Sequence, residues 1–124
     1  ALNIYFETSA RSLADSMAVT DVVLNRVEST RYPNNVCDVV YQGYKKGSRY
    51  CQFSWYCDGK SDTPHNEEVW EKSRKFARDM YIHNQFRGIT EGATHYHATY
   101  SKPFWSKKLN RIARIGAHIF YWEK

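Results

Sequence analysis

Glu7 is the first residue whose neighbours suggest chemistry. It follows Ile4, Tyr5 and Phe6 and precedes a polar break at Thr8-Ser9. A carboxyl beside aromatic and aliphatic groups has its charged form disfavoured, so it can hold a proton near neutral pH. A glycosidase acid needs that property, although a surface glutamate at a helix end would look the same locally. His95 and His97 stand two apart, and on a strand both would face one side. They could ligate a metal, hold a substrate or only hydrogen-bond; two histidines lack the third ligand that zinc requires. His65, His83 and His118 are further histidines that spacing does not single out. A third group is Cys51-Gln52-Phe53-Ser54-Trp55-Tyr56-Cys57-Asp58-Gly59. Its rings could stack on sugar faces while its amide and hydroxyl read polar substituents. A strand with one buried and one exposed face would share that composition.

Elements must hold these residues. Residues 2 to 9 read as a short helix. Ser12 is a plausible N-cap for a helix through about Glu28, with Leu13, Met17, Val19, Val23, Leu24 and Val27 recurring at helical spacing. Arg31 to Asn35 is a turn, and Asn35 can cap a short helix ending near Gly43. Residues 44 to 65 read as a long loop with a short strand at Tyr50 to Trp55. Asn66 before Glu67 and Glu68 opens a helix expected to end before Gly88. Ala93 to Tyr100 reads as a strand. Arg111 to Ile115 and His118 to Trp122 read as two more around Gly116. The expected class is α+β, mainly helical with a small antiparallel sheet.

The chain has 124 residues, expected to form a single catalytic domain spanning 1–124. Ten Tyr and four Trp are rich for that size, and some rings are expected at the surface. The net charge of +5 attracts polyanions such as bacterial wall. Lys107, Lys108, Arg111 and Arg114 read as a solvated face, and no nucleic-acid partner is expected. No stretch is long and apolar enough to span a membrane, so stable membrane insertion is not expected. No signal segment opens the sequence. Cys37, Cys51 and Cys57 allow at most one disulfide, and free thiols are the default expectation.

Taken in order, six segments resemble one family. They are Ile4-Tyr5-Phe6-Glu7; Ala18-Val19 with Val22 to Val27; Arg31 to Asn34 with Val36 to Gln42; Gln52-Phe53-Ser54 with Cys57 to Lys60; Ala93 to Ala98; and Ile115 to Tyr121. The chain resembles the SleB-type cell-wall hydrolases, the spore-cortex-lytic enzymes and related bacterial and phage lysins. The resemblance implies a lysozyme-like fold and cleavage between N-acetylmuramic acid and N-acetylglucosamine in peptidoglycan. It implies Glu7 as the catalytic glutamate, matching the first Glu of the family's Glu-Ala-Arg-Gly-Glu pattern. The second Glu of that pattern is Arg11 here.

With that resemblance, Gln52, Phe53, Ser54, Trp55, His95, Tyr96, His97 and Tyr100 are the expected substrate-binding residues, with Trp55 or Tyr100 as stacking rings. A lytic transglycosylase forming 1,6-anhydro ends with one carboxylate is the preferred mechanism. A hydrolytic muramidase with Asp58 as second carboxylate is the alternative. A metal-dependent amidase or peptidase at His95 and His97, and a non-catalytic wall-binding module, are the other readings. No metal or cofactor is expected. The absence of a wall-targeting domain suits a monomeric phage endolysin, made in the host cytoplasm and later released to the wall.

Overall fold

The structure, a computed structural model, describes residues 1–43 and 51–123. Helix α1 spans Leu2–Thr8 and ends on Ser9 and Ala10, both with left-handed backbone (φ 54° and 51°). Helix α2 spans Leu13–Glu28, with the Ser12 side chain accepting from the Asp15 amide at 3.2 Å as its N-cap. Short helix α3, Val36–Val40, starts on Asn35, whose Oδ1 accepts from the Asp38 amide. Helix α4 spans Glu67–Tyr81 behind Asn66, which caps the Val69 amide. Strands β1 (His95–Ala98), β2 (Asn110–Ile115) and β3 (His118–Trp122) make an antiparallel sheet in the order β1-β3-β2.

Helix α2 is the central element because several of its faces are apolar. Met17 and Leu24 pack with Ile4 of α1 and with Phe76 and Met80 of α4. Ala18, Val19 and Val22 pack against Ala93 and Phe120 at the sheet. Val23 meets Val39, Val40, Phe53 and Trp55. Each such side chain, fully buried, stabilises the fold by about 1.5–3 kcal/mol. A helix covered on several sides therefore fixes α1, the sheet and the 53–55 segment relative to one another. No helix among the described residues is long and apolar enough to cross a membrane.

Two expectations are corrected. The 51–55 part of the expected strand is instead a turn entering a 3-10 helix at Ser54–Cys57; Tyr50 lies outside the described residues. The reason is a disulfide between Cys51 and Cys57, whose Cα atoms are 6.0 Å apart across a sequence separation of 6. An extended strand of that length would span roughly 20 Å. Cys37 is the free, exposed thiol, so the default of free thiols holds there and fails at Cys51 and Cys57, which form the one disulfide the count allowed. Helix α4 ends at Tyr81, before Gly88 as expected, and beyond it Asn84 and Phe86 turn left-handed (φ 56° and 60°). Asn tolerates that region, and the turn delivers Arg87, Gly88 and Thr90 to buried Asp21. The long loop expected over 44–65 lies outside the described residues as far as Arg49 and Tyr50. Lys107, Lys108, Arg111 and Arg114 are all exposed.

Candidate active site

A cleft of about 950 Å³ runs between the end of α1, the start of α2, the 52–60 segment and the β1 and β3 strands. Glu7 borders it from the last turn of α1, with its side chain 18% exposed. Two features disfavour its charge. Burial is the largest and raises its pKa above the ordinary carboxylate value. The C-terminal end of a helix is also an unfavourable place for a carboxylate. The charge of His118 and a hydrogen bond from Tyr96 work against burial, and the nearby charge of Asp15 adds slightly to it.

The Glu7 carboxyl is held by a relay of side chains. Trp55 Nε1 donates to Asn3 Oδ1 at 2.9 Å, and Asn3 Nδ2 donates to the Tyr96 hydroxyl at 3.4 Å. Tyr96 then has its O–H free to donate to Glu7. On the other side His118 Nε2 lies 3.9 Å from Glu7 Oε2. His118 Nδ1 is 2.7 Å from Asp15 Oδ1, and the Ala117 amide donates to Asp15 Oδ2 at 3.4 Å. The β2–β3 turn reaches Asp15 so closely that a Cβ on Gly116 would lie 2.7 Å from Asp15 Cβ. Its φ of +58° also favours glycine.

The expected binding residues fall in different places. Gln52, Phe53, Ser54, Trp55, Tyr96, His97 and Tyr100 border the cleft with Glu7. His95 does not. It shares a strand face with His97, and both rings lie edge-on to Trp105 (centroids 5.3 and 5.6 Å). His95 Nδ1 pairs with Thr94 Oγ1, while His97 pairs with the Tyr121 hydroxyl and the Ala98 carbonyl. Among the described residues no group of three His, Cys, Asp or Glu is placed to hold a metal. Trp55 is buried, stacks on Phe6 at 4.9 Å and so has a face spent on the cleft wall. Tyr100, 92% exposed, is the ring left free to stack. Asp58 borders the cleft, with its Oδ1 accepting from the Lys60 amide.

Asn3, Asp15, Arg26 and His118 were not singled out by sequence reasoning. Arg26 is buried and borders the cleft beneath Phe53, whose ring lies 5.3 Å from the guanidinium. Its Nε donates to the Thr94 carbonyl at 2.7 Å, and burial lowers its pKa. The signals for Asp15 and His118 were faint. One is the first-turn position behind a serine cap, the other a histidine two residues after a turn glycine. A separate, mainly apolar cavity of about 330 Å³ lies by α1, α2 and α4 and contains neither Glu7 nor a histidine.

A carboxyl whose pKa burial raises, set in a polar cleft with rings and amides along the walls, is an arrangement suited to acid chemistry on an extended substrate. The sequence profile described as Cell Wall Hydrolase matches residues 11–121, and the chain belongs to that family. Glu7 precedes the matched span, so its case rests on the cleft geometry and the resemblance. The chain is similar to the catalytic domain of the germination-specific lytic transglycosylase SleB from Bacillus anthracis. That match has 26% identity and a TM-score of 0.74, and covers 98% of this chain and 88% of that one. It is similar also to the catalytic domain of the Bacillus cereus SleB protein, with 25% identity, a TM-score of 0.64, and 96% and 83% coverage. No curated protein matches the chain by sequence. The fold is thus lysozyme-like and of the SleB type, and the chain is a peptidoglycan-degrading enzyme.

Proposed function

We propose that the enzyme is a lytic transglycosylase with Glu7 as its single acid and base. The observation that carries this is the pairing of a buried Glu7, whose pKa burial raises, with an Asp15 whose two oxygens are taken by His118 and the Ala117 amide. Glu7 gives its proton to the oxygen linking C1 of N-acetylmuramic acid to N-acetylglucosamine. The C1–O bond breaks and its electrons leave with that oxygen. The ionised Glu7 then takes the proton of the muramic 6-hydroxyl, and O6 bonds to C1 as a 1,6-anhydro ring. Glu7 ends protonated, ready for the next cut. The substrate's own N-acetyl group, or a polar cleft group, steadies the positive C1 between the two steps. Gln52, Ser54 and His97 are placed to contact polar sugar groups, and Tyr100 to stack on a ring face.

Mass spectrometry of digested peptidoglycan is the test, and 1,6-anhydro-muramic ends are the expected product. Reducing muramic ends would replace the proposal by a muramidase, for which Asp58 at the cleft border is the available second carboxylate. Neither step uses a metal, so chelator is expected to leave the rate unchanged. Loss with chelator and recovery with zinc, together with freed peptides, would point to an amidase instead. We propose further that residues 1–124 act as one catalytic unit, a monomer, in a phage endolysin made in the host cytoplasm. The net charge of +5 suits capture of an anionic wall. Sedimentation of the purified chain and lysis of cells expressing it with a membrane-permeabilising protein test those two points.

A further inference from the structure

We propose that Asp15 and His118 form a positioning pair that fixes a proton-bearing imidazole against the catalytic glutamate. The inference rests on the reading of Glu7 as general acid and adds two residues that the proton transfers do not themselves use. Both are buried, with 6% and 4% of their surfaces exposed. Buried polar groups persist where they are hydrogen-bonded, and the two members of this pair bond to each other. A carboxylate only accepts, so the 2.7 Å contact with Asp15 Oδ1 places a proton on His118 Nδ1. That leaves Nε2 as the ring atom turned to Glu7, at 3.9 Å. The separation is too long for a hydrogen bond and short enough for an ion pair.

The surrounding chain is built around Asp15. It lies in the first turn of α2, where the helix dipole favours a negative charge. Gly116 leaves no room for a Cβ beside the Asp15 side chain, Ala117 donates its amide and His118 donates its ring N–H, so three consecutive residues are fitted to one carboxylate. The ring is also braced edge-on by Tyr96, at a centroid distance of 5.1 Å. A histidine needed only to fill space would not require this arrangement.

The groups facing Glu7 are Tyr96 from β1, His118 from β3 and Asp15 from α2. Arg11, Arg26, Asp58, Lys60 and His97 border the same cleft. Burial raises the pKa of Glu7, His118 is the largest influence opposing it, and the direct repulsion from Asp15 is the smallest of those acting. When it carries a second proton, the imidazole favours the ionised Glu7 between the two steps and so opposes the effect of burial.

The experiment is kcat/KM against pH on soluble glycan strands, for the wild type, His118→Gln and Asp15→Asn. With His118→Gln the basic limb, which reports protonated Glu7, should move to higher pH. The plateau should fall about tenfold or more, because a weaker acid helps the leaving oxygen less. With Asp15→Asn the limb should move the same way by less, since losing the direct repulsion offsets part of losing the positioned imidazole's influence. Lower plateaus with unmoved limbs in the folded variants would overturn the pair's role. If His118→Gln does not fold, Asp15→Asn decides by the same reading. A dead Glu7→Gln beside an unmoved His118→Gln limb sinks only the pair, whereas an active Glu7→Gln sinks the reading beneath it.

Discussion

Glu7→Gln is expected to slow peptidoglycan cleavage by about 10²- to 10⁴-fold, the range that a positioned general acid supplies. The amide keeps the size and hydrogen-bonding reach of the carboxyl, but it has no proton to transfer and cannot act as base. The same variant should be more stable than the wild type at neutral pH. The folded-state pKa of Glu7 is raised above its ordinary value, chiefly by burial. The folded protein therefore binds that proton more tightly than the unfolded chain does. Below the unfolded value Glu7 is protonated in both states and costs nothing. As pH rises through the unfolded and then the folded value, the wild type loses stability that the glutamine variant keeps. Thermal unfolding should accordingly give a higher Tm for Glu7→Gln at pH 7 and a gap that closes toward acid pH. Activity above a few per cent of wild type would remove Glu7 from the acid role. A gap that widens toward acid pH would contradict a raised pKa.

The sequence pointed to Glu7 because its apolar neighbours are adjacent along the chain, whereas the polar groups that face it, Tyr96, His118 and Asp15, come from distant segments. Ile4, Tyr5 and Phe6 belong to the same helix and turn as Glu7. Helix α2 was legible for the same reason: its Ser12 cap and its apolar repeat are local signals. The hairpin around Gly116 was legible too, although the reason for a glycine there was not. That reason lies across the fold, in the Asp15 side chain. Asp15 and His118 are 103 residues apart, and no periodicity links them. The two histidines of β1 show the limit of strand alternation. It places His95 and His97 on one face beside Trp105, but it does not say that only His97 borders the cleft. Phe53 and Trp55 looked like strand residues by type, and the Cys51–Cys57 bond overrode that tendency. The role of the turn after Tyr81 escaped for a similar reason, since it serves a contact with α2.

That contact carries the second large expected effect. Asp21 is 0% exposed, and its carboxylate is wrapped by the 87–90 turn. Oδ1 accepts from the Gly88 amide at 3.1 Å and from Arg87 Nη1. Oδ2 accepts from the Thr90 amide at 3.1 Å and the Thr90 hydroxyl at 2.6 Å. Arg87 in turn reaches Asn25 Oδ1 and Glu28 Oε1, each at 3.1 Å, so it spans the outer face of α2. Asp21→Ala would leave a buried Thr90 amide without its acceptor and a mostly buried guanidinium without its closest anion. Breaking one side of a buried pair costs about 3–5 kcal/mol, which for a chain of this size lowers Tm by roughly 10–20 °C. Arg74→Ala is the matched control. It breaks only the exposed pair between Arg74 and Glu71, and such pairs contribute little. The loss should reach the active site, because Asn25 also donates to the Ala93 carbonyl at 2.8 Å, two residues before β1, the strand that carries Tyr96. Activity of Asp21→Ala, measured well below its own Tm, should therefore fall along with its stability. A Tm within a few degrees of wild type would mean that the turn stands without its carboxylate. A large drop in Tm with unchanged activity at low temperature would mean that β1 is held by the sheet and not by α2.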